Sequence, residues 1–152
     1  MDHIDKSILR QLQDNARLSI VELAKRVNLS KTPCTERVHK LERAGTIVGY
    51  RAELNPLHLN AEHVAFVQVI LSTSTAKALE MFNQAALNIP EIQSCHMIAG
   101  DYDFLLKIRT RDIHEYRCIL GEKINELPHV QQTHTHVVME TVKDFVTIPV
   151  KS

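Results

Sequence analysis

The chain has 152 residues, of which 44% are hydrophobic and 24% charged, so it can form one or two globular domains with a real core. No apolar run is long enough to span a bilayer, and the acidic start lacks the layout of a secretory signal. Cys34, Cys95 and Cys118 are scattered without metal-ligand spacing, which excludes a disulfide scaffold and favours a reducing, cytoplasmic compartment.

The net charge is zero, but it is unevenly distributed. Residues 1–55 carry ten Lys and Arg against seven Asp and Glu, a net of +3, whereas residues 56–152 carry a net of −3. A basic front and an acidic back predict two domains, the first of which is better suited to a polyanion.

Two short helices are predicted at the start of the chain. The first begins near Asp2, which can cap it, and Asp5 favours its first turn. The second begins at Ser19, which forms a capping box with Glu22. The apolar faces are Ile4, Ile8, Leu9 and Leu12 in the first helix and Ile20, Leu23, Ala24 and Val27 in the second.

A tight turn and a third helix follow. Asn28 lies where the chain must turn, because Asn tolerates the left-handed conformation. The helix begins at Ser30 or at Thr32, and Gly45 ends it. Its narrow buried stripe is Cys34, Val38 and Leu41. A short helix, a turn and a helix with an exposed polar and basic face are typical of a helix-turn-helix.

The exposed face of the third helix predicts contacts with double-stranded DNA, in the manner of a recognition helix in the major groove. Lys40 and Arg43 are suited to phosphates, and Thr32, Thr35 and His39 to base edges. The full set of predicted contacts is Ser30, Lys31, Thr32, Thr35, Glu36, His39, Lys40 and Arg43.

Several features of this region stay open. Glu36 either accepts from a cytosine amine or pairs with Lys40, and Arg37 flanks the buried stripe, where a structural role is the alternative. Residues 47–54 are predicted as a strand that acts as a wing, with Arg51 near phosphate. The alternative for the whole segment is a three-helix unit that binds protein.

The rest of the chain follows a strand-helix-strand pattern twice. Each helix is closed by proline, at Pro90 and Pro128, and each proline is followed by a strand. The predicted strands are 63–71, 91–99, 104–109 and 130–142. The predicted buried face of the first helix is Leu79, Phe82, Ala86 and Ile89. The second helix is capped by Asp112 with Glu115, and its predicted buried face is Ile113, Tyr116, Leu120, Ile124 and Leu127.

This repeat is the split βαβ plan, a four-stranded antiparallel sheet with two helices on one face. A tight hairpin at Gly100–Asp103 joins its halves. Because the other face of the sheet carries apolar side chains, it needs a cover, and a dimer packed sheet against sheet would supply one. The predicted domain limits are 1–54, a linker over 55–62, and 63–152.

The sequence resembles the Lrp/AsnC family of transcription regulators across nearly its whole length. The front-half residues that carry the resemblance are Asp5, Ile8-Leu9, Ser19-x-x-Glu22-Leu23, Leu29-Ser30-x-Thr32-Pro33-Cys34-x-Glu36-Arg37-Val38, Leu41-Glu42 and Gly49-Tyr50-x-Ala52. Those of the back half are Glu91-Ile92-Gln93-x-Cys95-His96, Gly100-Asp101-x-Asp103-x-Leu105-Leu106-Lys107 and Val137-Val138-Met139-Glu140.

The resemblance implies an α+β fold, with an N-terminal winged helix-turn-helix domain and a C-terminal ferredoxin-like domain. It implies a regulator, not an enzyme, whose DNA affinity and assembly respond to a free amino acid, with leucine or another apolar amino acid expected. It also implies homodimers that assemble into tetramers or octamers, a cytoplasmic, nucleoid-associated location, and no cofactor or metal.

The effector site implied by the resemblance combines the hairpin with the last strand. Its predicted residues are Gly100, Asp101, Tyr102, Asp103, Thr133 and Thr135. The hairpin offers backbone amides and two carboxylates, which suit the carboxylate and ammonium of an amino acid. The alternative is that Gly100 and Asp101 only form a turn and that Asp103 only caps a strand end.

Other functions remain possible from the residues alone. His134 and His136 share one strand face, with His96 of the neighbouring half as a third candidate metal ligand, but surface or interface histidines without a ligand role are the simpler interpretation. Split βαβ sheets also occur in small dimeric enzymes, although Cys95 and Cys118 have no His-plus-acid framework and the chain has no phosphate-binding glycine loop. A third possibility is an architectural DNA-binding protein without an effector.

Overall fold

The computed structural model describes residues 1–144 and 147–151. The chain divides into two compact units, one formed by Met1–Glu53 with Lys143–Ser152 and the other by Leu54–Val142. The domain limits given above stay a prediction. None of the helices in the described part of the chain combines the length and the hydropathy that crossing a bilayer requires.

The first unit is built on three helices around a small apolar core. They are α1 (His3–Asp14), α2 (Ile20–Arg26) and α3 (Lys31–Arg43). The predicted caps are confirmed: Asp2 caps α1, and Ser19 and Glu22 form the capping box of α2. Asp5 completes a second capping box with Asp2. The core residues are Ile8, Leu23, Ala24, Val27, Cys34, Val38 and Leu41.

Two left-handed residues flank α3, one in the turn before it and one after its last turn. Asn28 has a φ of 55°, as the sharp turn predicts, and Ser30 is the N-cap of α3, although its side chain makes no capping hydrogen bond. After the last turn of α3, Gly45 has a φ of 68° and its N–H donates to the carbonyl of Glu42, while the N–H of Thr46 donates to that of Leu41. This pair of bonds is a Schellman motif, which satisfies the last helix carbonyls.

The strand predicted over residues 47–54 is wrong, because no strand forms there. Ile47 packs against the three-helix core, but Val48 and Leu54 are exposed, so most of the segment has no core to pack on. A strand needs a neighbour that completes its hydrogen-bond ladder, and none of the described strands pairs with this segment. The chain instead runs on to a 3₁₀ turn at Leu57–Leu59, within the predicted linker.

Residues 147–151 lie along α1 within the first unit. The Gln13 side-chain amide makes two hydrogen bonds with the backbone of Ile148: its Nε2 donates to the carbonyl at 3.0 Å, and its Oε1 accepts from the N–H at 2.7 Å. Arg10 donates to the carbonyl of Val150 at 3.3 Å. These bonds fix residues 147–151 against the first helix.

The second unit is a four-stranded antiparallel sheet with two helices, as the sequence predicts. In chain order its elements are β1 (His63–Leu71), α4 (Ala76–Ala86), β2 (Ile92–Met97), β3 (Phe104–Thr110), α5 (Ile113–Ile119) and β4 (Val130–Val137). The strand order is β2-β3-β1-β4, with all three neighbouring pairs antiparallel. A π-helical turn over Leu120–Ile124 continues α5.

Two predicted details of the second unit need correction. The last strand ends at Val137, not at residue 142, because β1 begins at His63: Val137 pairs with Ala65, the N–H of Val138 donates to the carbonyl of Val64, and β1 then offers no backbone to residues 140–142. Ile113 is 44% exposed, although it was predicted in the buried face of its helix. It is the first residue of α5, and Ile119 is buried instead.

The core of the second unit lies between the sheet and the helices. Alternate residues of β1 and β3 are buried there, and Phe82 of α4 stacks on Phe104 of β3 with ring centroids 4.3 Å apart. The opposite face of the sheet carries Phe66, Gln68, Ile70, Leu105, Lys107 and Arg109, which are only partly buried. This open face is the one that the sequence predicts to need a cover.

Candidate nucleic-acid interface and effector hairpin

The outer face of α3 follows from its buried stripe. Cys34, Val38 and Leu41 are at most 5% exposed, so the residues that point the opposite way face out of the unit. All the predicted DNA contacts are exposed except Thr35, which is half-buried: Ser30, Lys31, Thr32, Glu36, His39, Lys40 and Arg43.

Thr35 has a hydrogen bond of its own. Its hydroxyl donates to the carbonyl of Lys31 at 2.9 Å, one turn earlier in α3. Because a hydroxyl has a single proton, only its lone pairs remain for another partner. Thr35 can therefore accept from a base edge but does not donate to one while this bond is present.

Arg37 is anchored to the protein, which settles one of the open questions. Its guanidinium lies 2.7 Å from a carboxylate oxygen of Asp2 and 2.7 Å from one of Asp5. Asp5 is only 6% exposed, and the pair of bonds ties α3 to the start of α1. The suggested pairing of Glu36 with Lys40 is not formed within the described residues, and Glu36 stays exposed on the outer face.

The two carboxylates that hold Arg37 have lowered pKa values. The N–H of Asp5 and the guanidinium of Arg37 lower the pKa of Asp2 to about 2. Burial raises the pKa of Asp5, but the N–H of Asp2 and the Arg37 guanidinium outweigh it, so the net change is downward. Both groups are therefore easier to keep ionised in the folded chain than in the unfolded one.

We expect acid to destabilise the first unit through these carboxylates. A depressed folded-state pKa contributes stability that is complete above the unfolded value and is lost as the pH falls from about 4 to about 2. Urea unfolding at a series of pH values should show a smaller acid-dependent loss for Arg37→Met than for the wild-type chain. Arg43→Met is the matched control and should keep the wild-type pH dependence. Equal slopes for Arg37→Met and wild type would contradict the assignment.

His39 has a fixed partner beside it on α3. Its Nδ1 lies 3.0 Å from Oε2 of Glu42, and the hydroxyl of Tyr50 donates to Oε1 of the same carboxylate at 3.0 Å. These hydrogen bonds lower the pKa of Glu42. Burial together with Glu42 raises the pKa of Tyr50 to about 12. Neither Glu42 nor Tyr50 is among the site residues that the sequence predicts, and the only sequence signal for either contact is the i, i+3 spacing of His39 and Glu42.

The hairpin residues of the predicted effector site have different surroundings. Asp103 stabilises the fold, because its carboxylate accepts hydrogen bonds from the N–H of Leu71 at 2.7 Å and from the hydroxyl of Ser74 at 3.2 Å. Gly100 and Asp101 are exposed, and Tyr102 is half-buried. The carboxylate of Asp101 is thus the more accessible acidic group of this hairpin.

Thr133 and Thr135 lie on the helix side of β4. The Thr133 hydroxyl donates to the side chain of Asn125 at 3.1 Å, and the hydroxyls of Thr135 and Tyr116 are hydrogen-bonded to each other. Thr133 is paired with Val69, which is paired in turn with Phe104, the first residue after the hairpin. The structure therefore brings Thr133 to the same end of the sheet as the hairpin, two strands away.

The histidines do not gather into a ligand set. His134 and His136 share the open face, but His96 is separated from His134 by the two central strands, in register with Leu105 and Gln68. Nowhere in residues 1–144 and 147–151 do three or more His, Cys, Asp or Glu side chains come together in a way that could hold a metal ion.

Two family models each match a different part of the chain. A winged helix-turn-helix DNA-binding family model matches residues 1–48, and the Lrp/AsnC ligand binding domain matches residues 64–148. The proline dehydrogenase transcriptional activator of Rhizobium radiobacter is 52% identical over 95% of this chain and 92% of its own length. The leucine-responsive regulatory protein of Escherichia coli is 48% identical over 100% of this chain and 93% of its own length.

Solved structures give the same result for the fold. A transcriptional regulator from Neisseria meningitidis, solved as a complex with L-Met, superposes with a TM-score of 0.94 at 32% identity, over 99% of this chain and 97% of the other. The AsnC protein of Escherichia coli superposes with a TM-score of 0.88 at 29% identity, over 97% of each chain. The α+β fold with a winged helix-turn-helix and a split βαβ domain is thereby confirmed, and the chain belongs to the Lrp/AsnC family of DNA-binding transcription regulators, which are regulators and not enzymes.

Proposed function

We propose that this regulator reads specific DNA sequences with the outer face of α3 and that an apolar amino acid, bound at the hairpin, changes its assembly and DNA affinity. The observation that carries the proposal is the separation of roles along α3. Cys34, Val38 and Leu41 pack the unit, whereas the polar face is left exposed next to a basic end at Lys40 and Arg43. This is the arrangement in which a helix can enter the major groove.

The identity of the effector is the part on which the relatives differ. The Neisseria regulator was solved with L-Met, and one relative is named for leucine, both of which are apolar amino acids. The name of the Rhizobium relative favours a second candidate, control of proline breakdown, with proline itself as the effector. In each case the amino acid would meet Asp101 and the backbone amides of the hairpin.

We further propose that the chain forms homodimers through the open face of the sheet and that these assemble into tetramers or octamers. Phe66, Ile70 and Leu105 give this face an apolar centre, which supports self-association. Two-fold symmetry would place DNA half-sites about one helical turn apart, or a multiple of that. The proposed location is the cytoplasm, at the nucleoid.

Thermal shift measurements test the effector assignment. A ligand that binds only the native state adds about 2.7 kcal/mol of stability at 100 times its dissociation constant, so the cognate amino acid should raise the Tm by several degrees. The panel includes leucine, methionine and proline, with glutamate and lysine as the comparison. Asp101→Asn should remove the shift without changing the Tm of the unliganded chain.

Asp103→Asn provides the contrast for that experiment. It weakens the bonds to Leu71 and Ser74, so we expect it to lower the Tm even without ligand. DNA footprinting with and without the stabilising amino acid then separates the alternatives: an effector-dependent footprint supports the proposal, and an unchanged footprint supports an architectural protein. No Tm change with any of the twenty amino acids would refute the effector assignment.

A further inference from the structure

We propose that Glu42 and Tyr50 are positioning residues that hold the His39 imidazole in one orientation and one tautomer, with Nε2 presented to the DNA as a hydrogen-bond acceptor. The inference rests on the proposed binding of DNA by α3 and specifies how His39 would recognise a base. The three side chains are joined by two hydrogen bonds of 3.0 Å through a single carboxylate.

His39 and Glu42 lie on different sides of α3. At 100° per residue, His39 lies on the outer face of α3, and Glu42 lies on the flank between that face and the buried stripe. The His39 side chain is 61% exposed, and the Glu42 side chain is 35% exposed. The carboxylate therefore contacts the imidazole from the protein side and leaves the other ring nitrogen on the outer side.

The chemistry of the carboxylate determines the tautomer. An ionised carboxylate only accepts hydrogen bonds, so the Nδ1 atom of His39 must carry the hydrogen that lies between them. In the neutral imidazole, Nε2 then has a lone pair and accepts. The donors available to it in the major groove are the exocyclic amines of adenine and cytosine.

Tyr50 restrains the carboxylate itself. Its hydroxyl donates to the second oxygen of Glu42, so rotation of the carboxylate would break one bond or the other. Since the pKa of Tyr50 is raised to about 12, the hydroxyl keeps its proton across the neutral range. Tyr50 comes from the segment after α3, so the contact also links that segment to the reading face.

The test measures specificity, not affinity alone. The probe is a duplex selected from a randomised library by the wild-type chain at about pH 8, where imidazoles are ordinarily neutral. The readout is its affinity divided by that for a shuffled duplex, because removing the charge of Glu42 alters binding to all DNA alike. His39→Ala should lower this ratio roughly fivefold, the value of one hydrogen bond.

A double-mutant cycle tests whether Glu42 acts through His39. Glu42→Ala should lower the ratio, and the double variant should lose no more than His39→Ala alone, because the positioned group is already gone. Tyr50→Phe should cause a smaller loss, and Glu53→Ala, which removes an exposed negative charge three residues after Tyr50 in the sequence, should cause none. The preference lost in each variant should be for adenine or cytosine at the same position of the site.

Imidazole nitrogen NMR gives a readout that needs no DNA. The wild-type chain should show His39 with hydrogen on Nδ1, and Glu42→Ala should shift it towards the Nε2–H tautomer. Additive losses in the cycle, an unchanged ratio in His39→Ala, or a wild-type preference for guanine at this position would overturn the inference. If the wild-type chain selects no sequence at all, the proposed DNA reading fails, whereas the NMR result still tests the contact.

Discussion

Phe82→Ala is expected to lower the free energy of unfolding of the second unit by about 3–5 kcal/mol, because removing a buried phenyl ring loses its transfer energy and leaves a cavity. Phe82 is completely buried and stacks on Phe104, which is 1% exposed. The stacked pair joins α4 to β3 at the centre of the core. Urea denaturation followed by circular dichroism measures the change.

Two controls accompany this measurement. Phe82→Leu keeps most of the volume and should cost clearly less than the alanine variant. Leu87→Ala changes a residue that is 78% exposed just after α4, and it should alter stability by less than about 0.5 kcal/mol. A similar loss for Leu87→Ala and Phe82→Ala would mean that the stacked pair is not the centre of this core.

The double variant Lys40→Ala/Arg43→Ala should weaken binding to every DNA sequence. Each lost phosphate contact reduces the slope of log K against log salt by about 0.9, so two contacts give a change of about 1.8 and a loss of roughly 30-fold at 0.15 M salt. Binding isotherms over a range of salt concentrations give the slope directly. The loss should be the same for selected and shuffled duplexes, because phosphates carry no sequence information.

The matched control removes two positive charges from the other unit. Lys77→Ala/Arg117→Ala leaves the outer face of α3 unchanged, so the salt slope should stay close to that of the wild-type chain. If both double variants reduced the slope equally, net charge would explain the effect, and the phosphate contacts of Lys40 and Arg43 would be refuted.

The parts of the fold that sequence reasoning predicted are those set by local chemistry. The caps at Asp2 and Ser19, the left-handed turn at Asn28 and the stop at Gly45 each depend on residues within a few positions of one another. The repeated strand-helix-strand pattern, with a proline after each helix, likewise predicted the split βαβ order. Such features do not require knowledge of a distant partner.

The parts that it missed depend on distant partners. The segment 47–54 is rich in strand-forming residues, yet a ladder needs a neighbour, and the length of β4 is set by where β1 begins. The Arg37 contacts span more than thirty positions in the chain, and no pattern around Arg37 identifies Asp2 or Asp5 as its partners. The sequence likewise does not indicate that the Asp103 carboxylate accepts from the N–H of Leu71, because the two residues are 32 positions apart.

The division of α3 into a packed stripe and an exposed face has an evolutionary consequence. The side chains of Thr32 and Glu36 form no bond on which the described fold depends, so substitutions there should cost little stability. A duplicated gene could therefore acquire a new set of DNA targets by changing these positions while the scaffold stays the same. Engineered changes of target should likewise tolerate broad randomisation there, whereas Arg37 and the buried stripe should be left as they are.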